Sequence, residues 1–90
     1  MGKETPGATA LAKALRNIGP TSARWLLAIG VESLHDLETI GSAEAFRRVR
    51  AAGFSANLNL LYALQGALID AHWSELPAEL KAKLRAEVDE

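Results

Sequence analysis

Residues 15–23 read Leu15-Arg16-Asn17-Ile18-Gly19-Pro20-Thr21-Ser22-Ala23, and the fold turns on how this stretch is read. Leu11, Leu15 and Ile18 follow the i, i+4, i+7 spacing of one helix face. They predict a helix from about Thr9 to Arg16. Asn17 is a suitable stop, because Asn tolerates the left-handed conformation better than most residues. Gly19 can then stand as an N-cap with Pro20 at the first helical position, where its missing N–H was unpaired in any case. The stretch is therefore one helix end, a tight corner and a second helix start, and Ala23 is small enough to let the two helices approach closely.

The same punctuation continues outward. Trp25, Leu26, Leu27 and Ile29 give the second helix its apolar surface, and Gly30 ends it with Val31 placed to pack back on Leu26. Ser33 and Asp36 form an [ST]-x-x-[DE] box for a short third helix carrying Leu34, Leu37 and Ile40. Gly41 stops that helix, and Ser42 caps a fourth over Ala43 to Ala52. Gly53 ends the fourth, with Phe54 returning to Val49. A fifth helix, capped by Asn57 or Ser55, runs to Ile69 with Leu58, Leu60, Leu61, Leu64, Ala67, Leu68 and Ile69. That is too many for one stripe, so this helix is the central one, surrounded by the others. Gly66 in its middle costs roughly 1 kcal/mol against Ala, which suggests that another backbone must come close there. Asp70 to Glu75 form a turn, in which His72-Trp73 are expected to anchor the last helix to the core. Pro77 starts that sixth helix at its first position. Leu80, Leu84 and Val88 face inward, with Lys81, Lys83 and Arg85 outside. No stretch alternates like a strand. The expected fold is all-α: a compact bundle of five to six short helices with helix-hairpin-helix-like units, a flexible lead-in over residues 1–8 and a single domain over 9–90.

Composition narrows the function. Ninety residues suffice for one core. The absence of cysteine excludes disulfides and thiolate metal sites and suits a reducing, cytoplasmic location. No secretory pattern opens the chain, and the apolar run Leu60 to Ile69 is too short to span a bilayer, so no membrane is expected as a partner. The net charge is −1, but it is unevenly spread. Lys3, Lys13, Arg16 and Arg24 against Glu4 make residues 1–24 basic, whereas residues 25–42 hold only Glu32, Asp36 and Glu38. A strongly charge-driven nucleic-acid binder carries a larger basic excess, so any contact with DNA would use one face and be weak.

The pattern Leu-x-x-Ile-Gly-x-x-x-Ala occurs at Leu15 to Ala23 and again at Leu37 to Ala45, as a duplicated hairpin would. Helix N-termini attract anions. Lys13, Arg16 and Arg24 flank the first copy, and Glu38 and Glu44 flank the second, so only the first is a credible phosphate site. The helix-hairpin-helix motif binds the DNA backbone through main-chain N–H groups at such a turn, with two glycines around an apolar residue. Asn17-Ile18-Gly19 resembles it with Asn in the first place. The candidate nucleic-acid contacts are Arg16, Asn17, Gly19, Thr21, Ser22 and Arg24, with Arg47, Arg48 and Arg50 as a secondary basic patch. Such contacts would be sequence-independent and salt-sensitive. The alternative for each is plain structure: a helix corner, and a solvated outer face opposite Phe46 and Val49.

Asp70, His72 and Ser74 are the residue types of a hydrolase triad, but crowded into one turn they do not place a base between the other two. Two separated histidines without cysteine do not make a zinc site, and no phosphate-binding glycine loop is present. No catalytic residue, metal or cofactor is therefore expected. A second function class remains. Leu, Ala and Gly on the last helices could form a dimer seam or a surface for a regulatory protein, without DNA contact.

The blocks LRNIGPTSARWLLAIGVESLHDL, AFRRVRAAGF, NLNLLYALQGAL and HWSELP resemble, in order and spacing, the C-terminal domain of the TfoX/Sxy competence regulators over about residues 11–85. In that family the domain occurs behind a separate N-terminal domain and also alone, so the present chain is expected to be a stand-alone member or a domain excised from a longer protein. The resemblance implies an all-helical, helix-hairpin-helix-like fold and a link to the regulation of DNA-uptake genes. It supplies no catalytic residue and no set of DNA contacts.

Overall fold

The computed structural model describes residues 6–88. The helices are α1 (Pro6–Ala14), α2 (Pro20–Ala28), α3 (Leu34–Ala51), α4 (Leu58–Ile69) and α5 (Ala78–Val88), with a single 3₁₀ turn at Trp73–Glu75 before α5. No strand occurs among the described residues. The first helix begins at Pro6 rather than Thr9, with Ala8 buried; residues 1–5 of the expected lead-in lie outside the described residues. α5 begins one residue after Pro77, whose carbonyl accepts the first helical bond from Lys81 N, so Pro77 is the cap rather than the first helical residue.

The expected third and fourth helices are the two limbs of α3, which bends at Gly41. Ser33 caps the first limb, its hydroxyl accepting from Asp36 N at 3.1 Å. The Asp36 carboxylate reaches back one residue further than a standard box, to Glu32 N. Ser42 was expected to cap the second limb. Instead it is buried, and its hydroxyl donates to Gln65 Oε1 at 2.7 Å, tying α3 to α4. Two helices end as Schellman motifs: Val31 N bonds to Leu26 O, and Phe54 N to Val49 O. Asn57 caps α4 through Asn59 N.

α4 lies against α3, α5 and the 3₁₀ turn, while α1 pairs with α2. Its middle, Leu60 to Leu64 with Gly66 and Ala67, is buried, but Leu58 and Ile69 at its ends are exposed. The core joins these residues to Leu11, Leu15, Leu26, Leu37, Phe46 and Val49. Each large aliphatic side chain there contributes roughly 1.5–3 kcal/mol. α5 is held by more than its apolar stripe. Arg85 donates to Tyr62 OH at 3.0 Å, and Lys81 Nζ lies 5.3 Å from the Tyr62 ring centroid, so two of its three expected outward cations clamp the central helix. Leu76 is the buried anchor of the preceding turn. Trp73, expected in that role, is 38% exposed because the 3₁₀ turn carries its ring to the surface.

Candidate nucleic-acid interface

The corner between α1 and α2 has an inner and an outer side. Asn17 adopts φ 73°, the left-handed turn expected of it. This conformation directs its amide inward. Nδ2 donates to Ala71 O at 3.0 Å and to Ala63 O at 3.4 Å, and Oδ1 accepts from Trp73 N at 3.3 Å. Arg16 donates to Asp70 O at 3.0 Å, with its Oδ1 at 3.5 Å, placing a cation over the C-terminus of α4. Asp70 itself stands in the left-handed conformation that ends α4, and Ala71 N returns to Gly66 O. Two of the six candidate contacts thus fasten the corner to the end of the central helix.

Gly66 makes this fastening possible. A Cβ there would lie 2.5 Å from both Ala71 O and Asn17 Nδ2. The close approach expected at this glycine is that of the chain's own turn, together with the Asn17 amide.

The outer side carries the other four. Gly19 is the N-cap of α2 in extended conformation, with Pro20 at the first helical position and no side-chain cap, whereas α3 and α4 have side-chain caps. Pro20 has no N–H, so Thr21 and Ser22 hold the first-turn amide donors that lack an acceptor within the helix. Gly19, Pro20, Thr21 and Arg24 are exposed, and Ser22 is half-buried. Arg24 Nη2 lies 3.4 Å from Thr21 Oγ1. Lys13 is exposed in the last turn of α1.

The secondary patch is differently placed. Arg47 and Arg48 both grip Glu44, at 3.0 and 2.9 Å, and Arg47 also donates to the Glu87 carbonyl of α5. Arg50 stands 5.3 Å from the Phe46 ring centroid. The Arg48 hydrogen bond, assisted by that from Arg47 and opposed by desolvation, holds the Glu44 carboxyl below its ordinary pKa. These arginines serve α3 and its packing on α5.

In the turn after α4, Asp70 pairs with Arg16, while His72 Nδ1 accepts from Ser74 N and contacts its hydroxyl at 2.7 Å. His72 thereby caps the 3₁₀ turn. Among the described residues no three His, Cys, Asp or Glu gather in a metal-binding group, and no helix is long and apolar enough to cross a membrane. Sequence reading missed a groove of about 340 Å³ beside the corner, lined by Ser22, Trp25, Asn57, Asn59 and Trp73 among others. Its walls come from three separate segments, which local spacing does not bring together.

A family model described as the TfoX C-terminal domain matches residues 9–88. Two crystal structures from Listeria monocytogenes share the fold, each with a TM-score of 0.77 and 32% identity. One, described as an uncharacterized protein, aligns over 82% of this chain and 84% of its own. The other, described as a protein of unknown function, aligns over 83% of this chain and 93% of its own. No curated protein matches the sequence.

Proposed function

The chain belongs to the TfoX C-terminal domain family, and from that premise we infer that it is a non-enzymatic, cytoplasmic regulatory module that touches the DNA backbone with the outer side of its first corner. The uncapped start of α2 carries this reading. A helix N-terminus with free N–H groups, two hydroxyls and a nearby guanidinium suits a phosphate oxygen. Thr21, Ser22 and Arg24 are the contacts, with Lys13 adding long-range attraction. Arg16 and Asn17 position the corner from within. A domain with a net charge of −1 holds a duplex weakly and without sequence preference. The family's link to competence supports a place among regulators of DNA-uptake genes.

Binding of a short duplex, followed by fluorescence anisotropy, should weaken as salt rises from about 50 to about 200 mM, and Arg24→Glu should abolish it. Salt-independent binding, or full retention in Arg24→Glu, would count against backbone contact at this corner. Absence of any duplex binding would put the other reading, a protein-interaction module without DNA contact, in its place.

A further inference from the structure

The groove beside the corner differs chemically from the surface around it. Among the described residues no charged side chain lines it; its polar walls are Asn17, Ser22, Ser55, Asn57 and Asn59, and two indoles, Trp25 and Trp73, stand beside them. The hydroxyls of Ser22 and Ser55 and the side-chain amide of Asn59 have no hydrogen-bond partner among the described residues. Its volume, about 340 Å³, falls at the lower end of the range for small-ligand clefts.

The Trp25 ring and the Trp73 backbone are held before any ligand arrives. Trp25 stacks on Phe54, with ring centroids 5.5 Å apart and planes 17° from parallel, and the Schellman turn fixes Phe54 to Val49. Trp73 is held at its backbone by the Asn17 carbonyl. Indole rings lining a groove that also carries unused donors and acceptors suit a flat, uncharged ring with a hydrogen-bonding edge.

The cations lie at the rim. Arg24 reaches Thr21, which lies one turn before Trp25 on the same side of α2, at 3.4 Å, and Lys81 Nζ lies 5.7 Å from the Trp73 ring centroid. A neutral sugar also stacks on indole but has no use for cations at both margins. A nucleotide uses both parts, base inside and phosphates outside. In a duplex the bases are stacked and their edges paired, so only an unstacked base can enter.

We propose that this groove receives an unstacked base of single-stranded nucleic acid, with the flanking phosphates directed toward Arg24 and Lys81. The proposal rests on the reading of the corner as a backbone contact and adds the strand type that it prefers.

Both tryptophans of the chain line the groove, so intrinsic fluorescence reports on it directly. The whole chain is titrated with a short oligothymidylate, an abasic oligonucleotide of the same length, a blunt duplex and a phosphate-free oligosaccharide. Oligothymidylate should quench the indoles and bind more tightly than the abasic strand or the duplex. Trp73→Ala, at an exposed ring, should weaken oligothymidylate binding roughly ten-fold or more while leaving abasic-strand binding unchanged. Equal affinity for abasic and base-bearing strands without quenching would overturn the groove proposal and leave the backbone reading intact, provided Arg24→Glu still abolishes binding. Quenching by the oligosaccharide alone would overturn it as well. Absence of binding to any nucleic acid would end both.

Discussion

The motif Leu-x-x-Ile-Gly-x-x-x-Ala occurs twice in this chain and folds in two ways. In both copies the Leu and the Ala are buried, at Leu15 and Ala23 and at Leu37 and Ala45. The turns between them differ. In the first copy the left-handed residue is Asn17, and Gly19 has an ordinary φ of −90°. In the second the chain bends at Gly41 itself, with φ 86° and ψ 162°. Packing therefore repeats while the backbone does not, and the reason lies outside the motif. Asn17 is drawn inward by carbonyls and an N–H near the end of α4, which opens a true corner and leaves the start of α2 bare. At the second copy Ser42 bonds sideways to Gln65, and the helix continues with only a kink. The shared pattern specifies close helix approach, and distant partners decide which copy presents a helix N-terminus.

The largest test of this contrast is Gly66→Ala. The new methyl would meet a backbone carbonyl and the Asn17 amide at 2.5 Å. Overpacking and disrupted hydrogen bonds outweigh the helix-propensity gain of roughly 1 kcal/mol, for a net loss of about 2–4 kcal/mol in urea unfolding. A neutral effect would mean that the corner is not fastened there.

Asn17→Ala should cost about 2–3 kcal/mol, from left-handed strain and the partners left unsatisfied. Asn17→Gly keeps the conformation and removes only the amide, so it should cost less. Equal losses would assign the residue's importance to its amide bonds alone.

The two motif glycines should respond unequally. Gly41 sits where essentially only Gly is comfortable, so Gly41→Ala should cost about 1–3 kcal/mol. Gly19→Ala meets open space at an ordinary φ. The weaker N-cap and the stiffer unfolded chain roughly offset, and the change should lie within about 0.5 kcal/mol. Similar losses at both positions, measured as urea midpoints, would contradict the difference between the turns.

The smallest effect is at Glu44. Its carboxyl pKa is lowered by Arg48 and Arg47 in the folded chain. The associated stability is present above the unfolded-state pKa and is lost as pH falls through the folded one. Glu44→Gln should therefore flatten, slightly, the acid limb of a stability–pH curve. An unchanged curve would show that the pair contributes nothing measurable, as many exposed pairs do.

The features legible in the sequence were those that short-range hydrogen bonds decide. Ser33, Asn57, and the returns of Val31 to Leu26 and Phe54 to Val49 act within six residues, and the helix boundaries came from them. The Leu stripes marked the central helix for the same reason. The roles of Arg16, Asn17, Ser42, Tyr62 and Arg85 were not legible, because their partners lie 23 to 54 residues away or further. Local spacing carries no information about such pairs. Gly66 was the one visible trace, a glycine where a helix prefers alanine, and it indicated a close approach without saying of what. At the candidate site, the charge flanking the first corner was readable. The division into an inner side that fastens and an outer side that is free required the fold.

The central claim is that the first corner, and not its counterpart, meets nucleic acid. Backbone amide NMR shifts of the whole chain, titrated with short duplex and single-stranded DNA at low salt, test it most directly. The largest shifts should fall at Gly19, Thr21, Ser22 and Arg24, with Ser42 to Ala45 unmoved. Shifts confined to Arg47, Arg48 and Arg50, or none at Gly19 to Arg24, would contradict it.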